Sequence, residues 1–513
     1  MKRPRSGAAV LVAAGILLSR IAGLARERVF ASVFGIESDA ADAFRAALRI
    51  PNFLQNLFGE GVLSASFIPV YAKLIAEKKD MEAGRVAGAI LAVLGAVTSL
   101  LVLIGIAITP LLIGVVAPGF HGEKRVLTIE LVRILFPGVG ALVFSAWCLG
   151  ILNSHKRFLL SYSAPVLWNA AMIAGLLYFG PRYEQNDLAV KIAWVSVAGS
   201  ALQFLIQLPA VAQLAPSIQI IWDTASTHAR TVLRNFGPVF LSRGVAQISG
   251  YIDNLLATLL GTGAVNALSY AQTISMLPVS LFGMAVSASE LPSMSQASGS
   301  SLEIAAYLRS RLESGLLRIA FFVIPSAAAF AVLGDVIAGA LYQTGHFKAT
   351  DSTYIWGILG GSAIGLLAST QSRLYSSAFY ALRDTRTPLR FALIRVGLTT
   401  VLGYLFAKPL PWMLGLAPHW GVAGLTASAG IAGWFEFVLL RSSLTARIGP
   451  LTRNTSALAR LWIAAGGASA LAWLTKSALP PLHPVFTAVA VLGTFGLVYL
   501  AICGPAYWKQ LRR

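Results

Sequence analysis

One segment of the sequence carries polar side chains that could bind an anion. Between residues 41 and 70 the charged and amide residues are Asp42, Arg45, Arg49, Asn52, Asn56 and Glu60. On an α-helix, which turns about 100° per residue, all six fall within an arc of roughly 80°. A stripe of this kind faces a water-filled cavity or a bundle interior, because lipid does not solvate charge. One guanidinium group can donate two parallel hydrogen bonds to phosphate oxygens, so the stripe predicts binding of a phosphate-like group.

A simpler interpretation is a self-neutralising polar seam that only holds helices together. The stripe spreads over about 27 Å of helix, which is longer than one packing contact. Arg20 also favours a cavity, since it lies about 18 Å into the apolar segment 8–34. Exposed to lipid there, an arginine costs at least about 2.5–3.5 kcal/mol. We therefore place Arg20 and Arg26 on the same cavity, whereas Arg28 is equally compatible with snorkelling to the membrane surface.

The composition predicts a membrane protein that must position these side chains on helices. The chain has 513 residues, of which 56% are hydrophobic and only 12% charged, and its mean hydropathy is +0.72. Apolar segments of about 20 residues, the length of a membrane-crossing helix, recur about fourteen times. The predicted fold class is an all-α polytopic membrane protein with about 14 transmembrane helices.

The net charge of +19 reflects topology rather than nucleic-acid binding. If each segment reverses the chain, most lysines and arginines fall in loops on the side of the N-terminus. This positive-inside pattern predicts a multi-pass membrane protein with both termini in the cytoplasm.

Several function classes lack the residues they need. The two cysteines, Cys148 and Cys503, are far apart, and the six histidines have no ligand spacing, so we expect no metal and no cofactor. The sequence also contains no G-x-x-x-x-G-K-[ST] phosphate loop and no nucleophile elbow. These absences argue against an enzyme or an ATP-driven pump. They favour a secondary transporter driven by a cation or proton gradient or by the membrane potential.

The second half of the chain repeats features of the first. LLSR at 17–20 corresponds to FLSR at 240–243, and each precedes a glycine turn and a helix with a central proline. The repeat predicts two pseudo-symmetric six-helix lobes around a central cavity, residues 1–222 and 223–448, followed by two extra helices in 449–513. In the second lobe Arg243 takes the place of Arg20.

Other intramembrane charges of the second lobe are Asp253, Arg395 and Glu290. Because a buried pair costs far less than a lone charge, we predict that Arg395 pairs with Asp253 within about 4 Å. The alternative is an Arg395 that snorkels to the cytoplasmic surface.

The chain resembles the MurJ (MviN) family of the multidrug/oligosaccharidyl-lipid/polysaccharide exporter superfamily. The motifs that carry the resemblance span nearly the whole chain: SRIAGLARERV (19–29), SDAADAF (38–44), RIPNFLQNLFGEGVLSASFIPVYAKL (49–74), APGF (117–120), GILNSHKRF (150–158), SAPVLWNAAMI (163–173) and LRDTRTPLRFAL (382–393). The resemblance implies fourteen helices, an arginine-rich cavity for a pyrophosphate and sugar headgroup, and a groove formed by the last two helices for a lipid tail. It also implies cavity roles for Arg20, Arg26, Asp42 and Glu60.

The chain departs from the family pattern where two arginines are customary. At the first position, shortly after Pro51 and Asn52, the chain has Gln55 and Asn56. At the second, in the eighth predicted helix, it has Thr273. Arg45, Arg49 and Arg243 lie where the pattern does not require arginine. Either these residues replace the missing charge, or the substrate differs.

The function implied by the resemblance is translocation of lipid II, the undecaprenyl-pyrophosphate-linked peptidoglycan precursor, across the bacterial inner membrane by alternating access. The partners expected are this anionic glycolipid, membrane lipids and cell-wall synthesis proteins. Two alternatives stay open: a flippase for another polyprenyl-linked oligosaccharide or a drug exporter of the same superfamily, and a non-transporting scaffold of the wall-synthesis machinery.

Overall fold

The computed structural model describes residues 6–58, 63, 66–222, 227–296, 300–451 and 455–511. Side chains of residues 6–13, 56–58, 235, 237–249, 288, 292, 301 and 505–511 lie outside the description. Within these limits all regular secondary structure is helical, which confirms the predicted all-α class.

The chain forms two compact units, Met1–Tyr251 and Ile252–Arg513. The helices of the first unit are α1 (Ser6–Phe34), α2 (Asp39–Phe58), α3 (Ile68–Ala76), α4 (Asp80–Val116), α5 (Gly122–Ser154), α6 (Phe158–Ser163), α7 (Pro165–Phe179), α8 (Gln185–Leu205), α9 (Leu208–Leu214) and the greater part of α10 (Thr227–Thr258). The helices of the second unit are α11 (Ala264–Pro278), α12 (Ala285–Ser295), α13 (Ser301–Tyr342), α14 (Ala349–Ala381), α15 (Arg386–Ala407), α16 (Pro409–Met413), α17 (Gly421–Ile448), α18 (Thr455–Ala478) and α19 (Pro484–Leu511). The predicted lobe limits at residues 222 and 448 stay predictions.

Eleven helical stretches of the described chain are long and apolar enough to cross a membrane. The helices α1, α2 and α10 are not among them, although each has at least 20 residues. Helices α2 and α10 carry several charged and amide side chains, which lower their hydropathy, whereas the first residues of α1 have side chains outside the description. Only if these three helices also cross the membrane does the number of membrane-crossing helices reach the predicted fourteen. The count of fourteen therefore stays a prediction.

In the first unit, two pairs of neighbours position the charged helices. Helix α1 packs against α6 and α7, whereas α2 packs against α5 and α8. The reversal between α1 and α2 uses Gly35, whose φ of 67° is left-handed, as the predicted glycine turn requires. Ser38 then caps α2, since its Oγ accepts a hydrogen bond from Ala41 N at 3.1 Å.

In the second unit, helix α14 packs between α13 and α17. The approach of α14 to α17 depends on glycine, because a Cβ on Gly365 would lie 2.2 Å from the Cα of Gly430. Helix α15 packs against α17, and the pair α18–α19 packs on α13. The Tyr499 hydroxyl donates to the Phe321 carbonyl at 2.7 Å and joins α19 to α13. The predicted turn glycine Gly261 also has a left-handed φ, 95°.

Candidate substrate-binding site

A buried carboxylate joins the first two helices. Glu27 on α1 is 3% exposed, and Arg45 on α2 meets it with both ends of its fork. The Arg45 Nη2 to Glu27 Oε2 distance is 2.5 Å and the Nη1 to Oε1 distance is 3.1 Å. Arg26 Nη2 lies 2.5 Å from the same Oε1. One carboxylate thus holds two guanidinium groups, and the cluster keeps a net charge of +1.

Aromatic rings enclose this cluster. The Arg45 guanidinium lies 4.3 Å from the centre of the Phe30 ring, and the Arg26 guanidinium lies 4.7 Å from that of Trp168. Phe30 in turn contacts Phe44 of α2, with ring centres 5.6 Å apart. The rings exclude water from the ion pairs and add cation–π attraction. Removing one charged partner from such a buried pair costs about 3–5 kcal/mol, because the other charge stays desolvated.

A second ion-pair group fixes the first turn of α2. Lys124, at the beginning of α5, lies 2.7 Å from Asp42 Oδ2 and 2.8 Å from Asp39 Oδ1. Asp42 is 0% exposed, so in this conformation its carboxylate faces Lys124 and not an open surface, contrary to the predicted cavity position. The two carboxylates also lie where the positive end of the helix dipole favours negative charge.

Away from these clusters α1 and α2 carry further polar side chains that are at least partly exposed. Arg20 lies seven residues before Glu27, hence on nearly the same face of α1 and about 10 Å from it along the axis. On α2, Arg49 and Asn52 share the face of Arg45 in the same way. Arg20 and Asn52 are exposed and Arg49 is half-buried. The first unit therefore carries a cationic surface on α1 and α2 that meets the Arg26–Glu27–Arg45 cluster at one end, and we interpret this surface as one wall of a cleft.

Helix α10 supports one wall of this cleft. The Tyr251 hydroxyl donates to the backbone carbonyl of Arg49 at 2.8 Å. The Tyr251 ring stands edge-on to Phe53, with centres 5.0 Å apart. These contacts hold the segment of α2 that carries Arg49. The other predicted cavity positions are not covered: Glu60 and the side chains of Asn56 and Arg243 lie outside the described residues.

The predicted pairing of Arg395 with Asp253 is wrong. Arg395 Nη1 donates to Glu436 Oε2 at 3.0 Å, and in the described part of the chain no ion pair joins Arg395 to Asp253. The reason is geometric, because α15 packs along α17 and Glu436 of α17 faces it. Asp253 is half-buried on α10.

Glu290, another sequence candidate, also holds two arginines in the second unit. Its carboxylate is 3% exposed and lies 3.1 Å from Arg311 Nε and 3.5 Å from Arg318 Nη1. The pairs join α12 to α13. Across the described residues no group of three or more His, Cys, Asp or Glu could hold a metal ion.

Sequence reasoning missed four side chains that organise these groups: Glu27, Lys124, Trp168 and Glu436. A helical projection identifies Glu27, because it lies seven residues after Arg20 on the same face. The long-range partners Lys124, Trp168 and Glu436 have no local sequence signal, since each depends on which helices pack together.

Comparison with known proteins places the chain in a family. Residues 30–493 match the family model described as "Lipid II flippase MurJ". The chain is 32% identical over 447 residues to the lipid II flippase MurJ of Burkholderia cenocepacia, covering 86% of this chain and 84% of that protein. It is 30% identical to the probable lipid II flippase MurJ of Rhizobium tropici, covering 96% and 91%.

The fold also matches solved structures. A lipid II flippase MurJ in an inward closed conformation superposes with a TM-score of 0.80 at 23% identity, covering 98% of this chain and all of that one. An inward-facing multidrug resistance MATE family transporter of the MOP superfamily gives 0.63 at 17% identity, covering 85% and 98%. The chain is thus a multi-pass membrane protein that belongs to the MurJ family of lipid II flippases.

Proposed function

We propose that this protein translocates lipid II across the bacterial inner membrane by alternating access, as a transporter rather than an enzyme. The observation that carries the proposal is the cationic surface of α1 and α2, which we take to line the substrate cleft. Its exposed Arg20 and half-buried Arg49 present fixed positive charge on a membrane-embedded surface. Such charge is costly in lipid and favourable beside a pyrophosphate. Family membership and the names of the relatives supply the substrate.

The residues of the cleft divide into two roles. Arg20, Arg49 and Asn52 bind the phosphate and sugar groups of the substrate directly, and Asn56, Glu60 and Arg243 complete this set. The Arg26–Glu27–Arg45 cluster closes one end of the cleft. A shift of α1 against α2 within the first lobe opens the cluster and releases Arg26 and Arg45 toward the substrate, while Glu27 offsets part of their charge.

Asp42 acts through Lys124. The Asp39–Lys124–Asp42 group ties the beginning of α2 to α5, so it sets the angle at which the charged face of α2 meets α1. In this role Asp42 positions the binding residues and does not touch the substrate.

The orientation of the chain in the membrane and the energy source of transport are also part of the proposal. Both termini lie in the cytoplasm, in keeping with the positive-inside distribution. With no phosphate loop in the chain, an ion gradient or the membrane potential supplies the free energy, about 2.3 kcal/mol per charge per 100 mV. Alternating access uses the lobes 1–222 and 223–448, and helices in 449–513 form a groove for the lipid tail. Cell-wall synthesis proteins are the proposed protein partners.

A depletion-and-rescue experiment tests the proposal. Bacteria depleted of their own lipid II flippase should grow when they express this chain. They should lyse when they express Arg20→Ala at equal membrane abundance. Failure of the wild-type chain to support growth, despite normal insertion, would argue for another polyprenyl-linked substrate or a scaffold role.

A further inference from the structure

Helix α14 has two unlike faces. Thr353, Trp356, Gly360 and Ile364 form the first, which is mainly apolar. From the middle of the helix to its end the second carries Ser362, Ser369, Arg373, Ser376 and Tyr380, which fall within about 60° of one another on the opposite side. Nearer the beginning of α14 the same side holds the buried Ile355 and Ile358. Arg373 is exposed on this polar face. Its neighbours on the face are hydroxyl groups, which points to a water-accessible cavity rather than to lipid.

Arg373 lies at the same level as the Arg395–Glu436 pair. Arg373 is eight residues from the end of α14, Arg395 nine from the beginning of α15, and Glu436 twelve from the end of α17. These helix ends meet, because Arg447 Nη2 of α17 lies 2.7 Å from Asp384 Oδ2 in the α14–α15 turn. All three side chains are therefore about 12–18 Å from one end of the bundle.

The charges of this group do not cancel. Arg373 is near enough to interact electrostatically with Arg395 and Glu436. Yet among the described residues Arg373 forms no ion pair of its own. Arg373, Arg395 and Glu436 together carry two positive charges and one negative charge, which leaves a net charge of +1.

One donor of the group is also unused. The Nε of Arg395 is buried and has no hydrogen-bond partner in the described part of the protein. Arg395 donates to Glu436 only through Nη1, at 3.0 Å. A buried N–H without an acceptor is costly, and the acceptors that match an arginine fork are carboxylate and phosphate oxygens. Glu436 thus holds Arg395 in place through Nη1, and the Nε of Arg395 could donate to an oxyanion.

We propose that Arg373 and Arg395, held by Glu436, form an oxyanion-binding subsite in the second unit for the headgroup of the transported lipid. The proposal rests on the proposed function, because it takes the substrate to be an anionic, lipid-linked peptidoglycan precursor. Two parts of such a headgroup offer the required oxygens: the pyrophosphate and the carboxylates of the peptide.

Binding of two lipids to the purified full-length protein distinguishes these sources. Lipid II carries both groups, whereas undecaprenyl diphosphate carries only the phosphates. Arg373→Gln should weaken lipid II binding about tenfold, the loss expected for one charge-assisted hydrogen-bond pair. A loss for lipid II alone assigns the subsite to the peptide carboxylates, and a loss for both lipids assigns it to the phosphates. Unchanged affinity for both lipids would overturn the subsite.

Two further variants separate binding from folding. Arg373→Lys keeps the charge without the fork and should restore part of the affinity. Arg390→Gln removes a comparable exposed arginine near the beginning of α15 and should leave affinity unchanged. An equal loss in Arg390→Gln would mean that overall charge, not a subsite, governs binding, and would contradict the proposal.

Failure of the proposed function gives a different result. If the wild-type protein binds neither lipid, the lipid II assignment is wrong. The subsite is then judged with inorganic pyrophosphate and a dicarboxylate peptide as probes. At least one of the two probes should raise the Tm of the wild-type protein more than that of Arg373→Gln. If each probe raises the Tm of both proteins equally, the subsite is ruled out.

Discussion

Both oxygens of the Glu27 carboxylate bind the fork of Arg45, at 2.5 and 3.1 Å, and this contact bridges α1 and α2. Each of the two helices packs mainly on other neighbours, α6 and α7 for α1, α5 and α8 for α2. The ion pair, together with the Phe30–Phe44 ring contact, therefore links two helices that otherwise pack on different neighbours. Separating α1 from α2 requires breaking this link, while the packing of each helix on its other neighbours is retained.

Glu27→Gln should destabilise the protein by about 3 kcal/mol, because two desolvated guanidinium groups lose their shared counter-charge. The double variant Glu27→Gln/Arg45→Gln should recover much of this loss, since one uncompensated charge is removed with its partner. Thermal unfolding of the four proteins of this cycle measures the coupling. Additive effects would show that the pair contributes nothing to the closed cleft.

Arg20→Ala should abolish lipid II translocation while membrane abundance and Tm stay near the wild-type values. Arg20 is exposed, so its removal leaves no buried partner uncompensated. Arg28→Ala, on the same helix, is the matched control and should retain most activity. Degradation of Arg20→Ala, or full activity, would remove Arg20 from the binding site.

Arg49→Gln should lower translocation at least tenfold, and Gln55→Arg should restore part of it. The second change returns an arginine to a place where the family pattern has one. The same second change should not rescue Arg45→Gln, because Glu27 would still lack its bidentate partner. Transport assays of both double variants test this difference, and equal rescue would show that Arg45 and Arg49 are interchangeable sources of charge.

Asp384 predicts an acid-sensitive contribution to stability at the α14–α15 turn. Its carboxylate accepts hydrogen bonds from the Thr387 hydroxyl and from the backbone N–H groups of Thr387 and Arg386. The bonds from Thr387, together with Arg447, lower the pKa of Asp384 from 3.8 to about 2. A lowered pKa means that the unfolded chain binds the proton more readily, so this stabilisation is complete above about pH 4 and is lost as pH falls through about 2.

Asp384→Ala should therefore lower stability by about 1 kcal/mol at pH 7, a typical cost of losing a helix cap. The difference in Tm between wild type and variant should shrink as pH falls from 5 toward 2. A difference that stays constant over this range would show that the carboxylate charge does not matter.

The sequence predicted the helical class, the glycine turns at Gly35 and Gly261 and the common face of Arg45, Arg49 and Asn52, because each depends on local periodicity. It did not predict the partners of these charges. The sequence does not identify Lys124 as the partner of Asp42, and it predicts Asp253 instead of Glu436 as the partner of Arg395. Partner choice depends on the packing of helices far apart in sequence, such as α15 on α17, and hydropathy carries no information about that packing.

Translocation of labelled lipid II in proteoliposomes tests the central claim most directly. The measured quantity is the fraction of lipid II that becomes accessible on the opposite face, for the wild-type protein, Arg20→Ala and Arg28→Ala reconstituted at equal density. We predict translocation by the wild type and by Arg28→Ala and none above protein-free vesicles for Arg20→Ala. Wild-type vesicles that move no lipid II under an imposed membrane potential or ion gradient, or an Arg20→Ala variant as active as the wild type, would contradict the account.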